Sequence, residues 1–298
     1  MAFGQTALDS DETAWRAADK PVMLGSHIYK GYEQLVWTDA NDFSDESHGS
    51  YPAIYGSDGL NTTKTMPDAS LGSGNTHYYR CQLSEAADID AIAFLGLANT
   101  PGGNYTLYAR FAGAGDATFT SDQGETVATP GSPPAANSLH LLSFKYTDVV
   151  YISLEWQIVS GSVQPSFREM LIGRRRQMST KMDRPHDPSH LLTRSRVGET
   201  EAASAASSRY IFYSNRTILN GNFAVSSTDL QTLYDLHHED TLGGALPFVY
   251  CENPNTDVDD FRLMMFNNPE WAATRETHYR WRVPFQAKEQ GANLYSAA

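Results

Sequence analysis

Apolar residues recur along this chain in short runs cut off by turn residues, and only one stretch carries the three-and-four spacing of a helix. Ile89, Ile92, Phe94, Leu95 and Leu97 form one such run, ended by Pro101-Gly102-Gly103, and Tyr105 to Ala109 form the next. His77 to Leu83, Leu139 to Phe144, Val149 to Val159 and Phe167 to Gly173 read as further strands, with Val149, Tyr151, Ser153, Glu155 and Gln157 alternating against an opposite face. Val22 to Trp37 reads as a strand running into the polar loop Thr38 to Gly49. Beyond residue 208, strands are predicted at Arg209 to Tyr213, Arg216 to Val225, Leu246 to Cys251, Phe261 to Phe266 and His278 to Phe285. The predicted helix lies between them: Ser227 or Thr228 caps it, Asp229 suits its positive end, and Leu230, Leu233, Tyr234 and His237 face a sheet.

These elements predict a mainly β protein, a β-sandwich followed by a second β-rich domain with one packed α-helix. A chain of 298 residues is long for one hydrophobic core, so two domains are expected. The reading is an N-terminal arm at 1–21, a sandwich at 22–175, a linker or assembly loop at 176–208 and a second domain at 209–298. The Pro130-Gly131-Ser132-Pro133-Pro134 stretch is expected to be a surface loop, because proline cannot donate to a sheet ladder.

Charge narrows the partners. A formal net charge of −13 repels phosphate backbones, and the one basic segment, Arg174 to Arg196, has no aromatic residue to stack a base, so no nucleic-acid partner is expected. Cys81 and Cys251 lie far apart and read as two buried thiols. The N-terminus lacks the pattern of a signal peptide, and no apolar run is long enough to span a bilayer, so no membrane association is expected.

Catalytic chemistry has no clear home. There is no Gly-x-Ser-x-Gly elbow, Walker loop or His-Glu-x-x-His motif, and no enzymatic activity, cofactor or metal is expected. Pro188 between His186 and His190 disfavours the helical turn that would align them on zinc, and His237-His238 read as surface or interface histidines. The acidic cluster Asp39, Asp42, Asp45 and Glu46 does not match the spacing of an EF-hand and reads as a solvated loop.

Pro52-Ala53, Asp58-Gly59-Leu60-Asn61-Thr62, the Ile89 to Asn99 run, Tyr105 to Ala109 and Phe167 to Gly173 together resemble the galactose-binding-like, discoidin-type jelly rolls. Met66 stands where such domains often carry a tryptophan. With the second half added, namely the helix at Thr228 to His238, Pro247-Phe248-Val249-Tyr250 and Tyr279 to Gln286, the order of elements resembles minor or distal tail proteins of long-tailed bacteriophages. That resemblance implies a structural virion component, assembled in the host cytoplasm, that forms a homo-oligomeric ring or collar and contacts other tail proteins. The alternative is a carbohydrate-binding module for a host-surface glycan. Trp37, Tyr51, Tyr55 and Tyr78 are the candidate glycan or partner contacts, since aromatic rings stack on sugars and anchor interfaces. Trp15, Arg174, Arg175, Arg176 and Arg184 are the candidate subunit contacts.

Overall fold

The computed structural model describes residues 14, 16–40, 42–60, 63–99, 103–120, 124–128, 139–182, 196–201, 207–212, 218–252, 254, 262–267 and 272–290. The chain is mainly β. Its strands are, in order, β1 (Val22–Leu24), β2 (Tyr32–Thr38), β3 (Leu71–Gly72), β4 (Thr76–Leu95), β5 (Ala98–Asn99), β6 (Asn104–Ala112), β7 (Gly124–Ala128), β8 (Leu139–Ser160), β9 (Ser162–Val163), β10 (Pro165–Ser166), β11 (Glu169–Gly173) and β12 (Arg175–Gln177). There follow β13 (Arg196–Glu201), β14 (Ser207–Phe212), β15 (Ile218–Val225), β16 (Phe248–Cys251), β17 (Arg262–Phe266), β18 (Thr274–Thr277) and β19 (Arg280–Glu289).

The sandwich is organised around two long antiparallel strands, β4 with 20 residues and β8 with 22. At about 3.3 Å per residue a straight strand of that length would overrun a small domain. Register shifts between Gln82 and Ala91 bend the pair instead, so each strand serves both layers of the sandwich. The N-terminal half of β4 pairs with β2 and with the C-terminal half of β8, which pairs in turn with β6. The C-terminal half of β4 pairs with β11 and with the N-terminal half of β8. The predicted strands Leu139 to Phe144 and Val149 to Val159 are therefore one bent strand, with Asp148 at φ 56° near the corner.

Period-two alternation assigns the side chains to layers. Tyr79, Cys81, Leu83, Ile92, Phe94, Met170 and Ile172 enter the sandwich core, where Trp37, Trp156 and Phe167 pack at ring separations of 5.1 to 6.2 Å. The opposite positions, Ala91, Ala93, Leu95 and Leu171, pack on Val22, Leu24, Val249, Cys251 and Leu263 of a second sheet. A strand covered on both faces reads as a continuous apolar run, which is why Ile89 to Leu97 stood out in the sequence. Cys81 and Cys251 are both buried, as expected.

The second sheet has the order β12-β1-β16-β17-β19-β15, with β18 paired to β19. One of its strands comes from the start of the segment read as the sandwich and another from the point where that segment passes into the one read as a linker: Val22–Leu24 pairs with both Arg175–Gln177 and Phe248–Cys251. The chain therefore enters and leaves the sandwich through the second sheet. Residues 196–201, inside the segment read as a linker, pair antiparallel with 207–212, which runs from the end of that segment into the strand predicted at Arg209 to Tyr213. The outer face of the sheet carries Met23, Phe223, Phe248, Met264, Val283 and Phe285 and is covered by helix α1 (Ser227–Tyr234) through Leu233.

Ser226, one residue before the predicted cap, accepts the Asp229 N–H at 3.3 Å and starts the helix. After Tyr234 the helix widens into a π-turn over Asp235–Asp240. The extra residue per turn buries Leu236, His237 and Asp240, whereas Tyr234, predicted to face the sheet, is 46% exposed.

Candidate functional site

One end of the sandwich carries a cleft of about 450 Å³, lined by Asp39, Asp45, Glu46, Ser47, Pro67, Asp68, Ala69, Leu71 and His77. Its wall is the loop that follows β2, its opposite side is the 67–71 turn, and its base is the start of β4. Pro67 and His77 are buried and form the floor, whereas Asp39, Asp45, Glu46 and Asp68 are exposed at the rim.

Short polar links hold the loop in shape. The Asp45 carboxylate accepts the backbone N–H of Ser47 at 3.0 Å and its hydroxyl at 2.5 Å, and Asp42 accepts the corresponding groups of Ser44 at 2.9 and 2.6 Å. Glu46 accepts the Asp39 N–H at 2.9 Å. Burial, followed by the neighbouring Asp39 and Asp42 carboxylates, raises the Glu46 carboxyl above its ordinary value. The Asp68 carboxylate makes no hydrogen bond or ion pair among the described residues, and its backbone N–H ties the turn to Glu46 at 2.9 Å.

His77 is 2% exposed, and its Nε2 lies 2.9 Å from the Val163 carbonyl. A carbonyl only accepts, so Nε2 carries the proton and Nδ1 presents a lone pair. Burial lowers the His77 pKa and favours that neutral form.

Beneath the loop, Arg80 is fully buried although it lies on the outer face of β4. The rings of Tyr78, Phe119 and Phe43 surround its guanidinium at 4.7, 5.1 and 5.8 Å, and Nη1 donates to the Asp42 carbonyl at 3.2 Å. Arg80 thus fastens the acidic loop to the sheet.

The aromatic residues expected to contact a ligand do not line this cleft. Trp37 is fully buried, its Nε1 donating to Thr65 Oγ1 at 2.7 Å, and cannot reach a glycan; the correction follows from its position on the core-facing side of β2. Tyr78 is half-buried under Arg80. The Tyr51 ring packs at a tilt against His48, 4.9 Å between ring centres, with the Lys64 ammonium 4.5 Å from its ring centre, and Tyr55 is half-buried in a 3-10 turn at Ala53–Gly56.

Of the expected subunit contacts, Arg176 is committed inside the chain, to Asp240 at 2.9 Å and Asp235 at 3.0 Å, with 13% of its side chain exposed. The π-turn brings both carboxylates onto β12. Arg174 is exposed, and Arg175 is half-buried with its backbone N–H on the Asp90 carboxylate. Trp15 and Arg184, and the pair His186 and His190, lie outside the described residues.

Sequence reasoning found the acidic loop but missed Asp68 and His77, which are 22 or more positions away from it; a histidine at the start of an alternating strand was the available signal. Buried Glu169 accepts the Tyr29 hydroxyl at 2.7 Å and the Gly59 N–H at 3.1 Å, tying the Asp58-Gly59 loop to β11. Among the described residues, no three His, Cys, Asp or Glu side chains are arranged to hold a metal ion.

No family model matches the chain, and no curated protein matches it. Solved structures with partial similarity include chitosan-binding module 1 of the chitosanase/glucanase from Paenibacillus sp. IK-5, with 13% identity over 50% of this chain and 98% of that one at a TM-score of 0.34. The family 32 carbohydrate-binding module of Clostridium perfringens NanJ, solved with galactose, is 17% identical over 50% of this chain and 98% of that one at a TM-score of 0.33. The CBM32-1 and CBM32-2 domains of Clostridium perfringens ZmpB are 12% identical over 49% of this chain and 35% of that one at a TM-score of 0.35. With half of this chain overlapped and TM-scores below 0.5, the functional reading rests on the cleft itself.

Proposed function

We propose that this protein recognises a carbohydrate through the cleft at the end of its sandwich, with the second sheet and its helix serving as a fused base. The cleft carries the reading: a 450 Å³ recess with carboxylates at its rim and an apolar strip of Pro67, Ala69 and Leu71 between them. Carboxylates accept from sugar hydroxyls, and the apolar strip matches the C–H face of a pyranose. The likeness to carbohydrate-binding modules is in keeping with this reading but adds no weight to it.

A glycan array followed by titration calorimetry tests it. The intact protein retains at least one glycan, and Asp68→Asn weakens that binding about tenfold, the loss of one to two hydrogen bonds to a charged acceptor. Because the Asp68 side chain is exposed and makes no hydrogen bond or ion pair among the described residues, the variant is expected to keep the wild-type fold. Failure of the folded protein to retain any glycan, or unchanged binding by the variant, overturns the proposal. The tail-component reading has no observation in the structure that favours it, since one of its basic contacts, Arg176, is already paired.

A further inference from the structure

Two features of the second sheet project large side chains into solvent. The first is the ribbon formed by β18 and the start of β19. All four residues of β18 are exposed, as are His278, Tyr279 and Arg280 at the turn, and Tyr279, at 82%, is the most exposed large hydrophobic side chain among the described residues. A two-stranded ribbon with no packed face is marginal by itself. Cross-strand links stiffen this one: Arg282 pairs with Glu276 at 2.5 Å, Arg275 Nε donates to the Thr277 carbonyl at 3.2 Å, and the Arg275 guanidinium lies 5.8 Å from the Trp281 ring centre. In a chain of net charge −13, the ribbon presents an aromatic ring among Arg275, Arg280 and Arg282, with Glu276 as its one carboxylate.

The second feature is a strip along the end of α1 and the π-turn. Tyr234 is 46% exposed, its ring centre is 4.2 Å from that of exposed His238, and Leu242, 49% exposed, follows them with exposed Glu239 in between. Leu242 has φ 49°, in the left-handed region that strains a leucine and leaves a glycine at ease. The fold keeps that strain for a side chain it leaves half in solvent, which points to work outside the chain.

Ribbon and strip complement each other, one basic and tipped with tyrosine, the other apolar and aromatic with a carboxylate. In one chain they lie at opposite ends of α1. Val225, just before the Ser226 cap, pairs with Trp281, so the ribbon stands beside the start of the helix, whereas the strip begins where the helix ends. The 8 residues of α1 separate them by about 12 Å. A partner of uniform charge would satisfy one feature and not the other. A second copy, turned about a two-fold axis across α1, satisfies both, because each ribbon then meets the other copy's strip in a closed contact. Tyrosine and arginine are the residue types that anchor such contacts.

We propose that the second sheet carries a two-fold docking surface for another copy of this chain, with Tyr279 of each copy seated against Tyr234, His238 and Leu242 of the other and the ribbon arginines facing Glu239. The inference stands apart from the cleft and does not depend on what the cleft binds.

Sedimentation velocity of the full chain over a concentration series tests it. A reversible dimer is expected, weakened at least about tenfold by Tyr279→Ala and by Leu242→Gly. Both variants should keep the fold by circular dichroism, since Tyr279 is in solvent and glycine accepts a left-handed backbone without strain. Mixing the two variants brings an intact ribbon on one copy to an intact strip on the other, so the mixture should associate more tightly than either variant alone. A merely structural role for either residue gives no such rescue. A chain that is monomeric at every concentration, a dimer indifferent to Tyr279→Ala or Leu242→Gly, assemblies larger than two, or no gain on mixing each overturns the proposal.

Discussion

Single residues show how far burial decides chemistry. Trp37 was a ligand candidate because tryptophan stacks on sugars, yet the pleat of β2 turns it inward against Tyr79, Trp156 and Phe167. Trp37→Phe removes the hydrogen bond to Thr65 and leaves a void, and should cost roughly 2–4 kcal/mol in urea denaturation with glycan binding unchanged in the folded fraction. His27 makes the same point for charge. Burial first, then the Lys30 and Arg176 cations, lower its pKa from 6.5 to about 4, while Asp240 pulls in the opposite direction. A depressed histidine pKa means that the folded state holds the neutral ring. The stability it contributes is complete above pH 6.5 and is lost as pH falls from there through about 4, to a total of roughly 3 kcal/mol. Comparing urea midpoints at pH 7 and pH 4 should show His27→Gln losing less stability than the wild type by about that amount; equal losses would remove His27 as the cause.

At the scale of elements, the charges that matter lie where strands and turns meet. Arg176 on β12 and Lys30 in the 3-10 turn His27–Lys30 converge on Asp240 of the π-turn, at 2.9 and 3.2 Å. The Asp240 side chain is only 5% exposed. Arg176→Met should therefore cost about 3 kcal/mol, because it strips a partner from a buried carboxylate, whereas Lys181→Ala, which breaks an exposed pair with Asp19, should cost under about 1 kcal/mol. Thermal melts of both variants check the ratio. Packing at this junction is equally tight: a Cβ at Gly25, the residue after β1, would lie 2.5 Å from the Asp240 Cβ, so only glycine lets the chain leave β1 against the π-turn. None of this was legible beforehand. A basic segment beginning at Arg174 looked like a surface for other subunits because its acidic partners, Asp235 and Asp240, lie about 60 positions away and are brought to it only by the second sheet.

At the scale of the whole molecule, the two layers of the sandwich and the second sheet are stacked so that one strand layer, β11 with the C-terminal half of β4, is covered on both faces. The acidic loop after β2 lies outside that covered layer, with Asp39, Asp42, Asp45 and Glu46 exposed. Periodicity, turn residues and caps are local properties of the chain, and they made the β class, most strand positions, the helix at Ser227–Tyr234, the two buried thiols and the acidic loop legible. The tertiary structure decided what locality cannot carry: that the two predicted strands at Leu139 to Val159 are one bent strand, that Val22–Leu24 and Arg175–Gln177 belong to the second sheet, and that Trp37 is core. It also brought Asp68 and His77 to the acidic loop, and that convergence of groups distant in sequence turned a solvated charge cluster into a recess able to take a ligand.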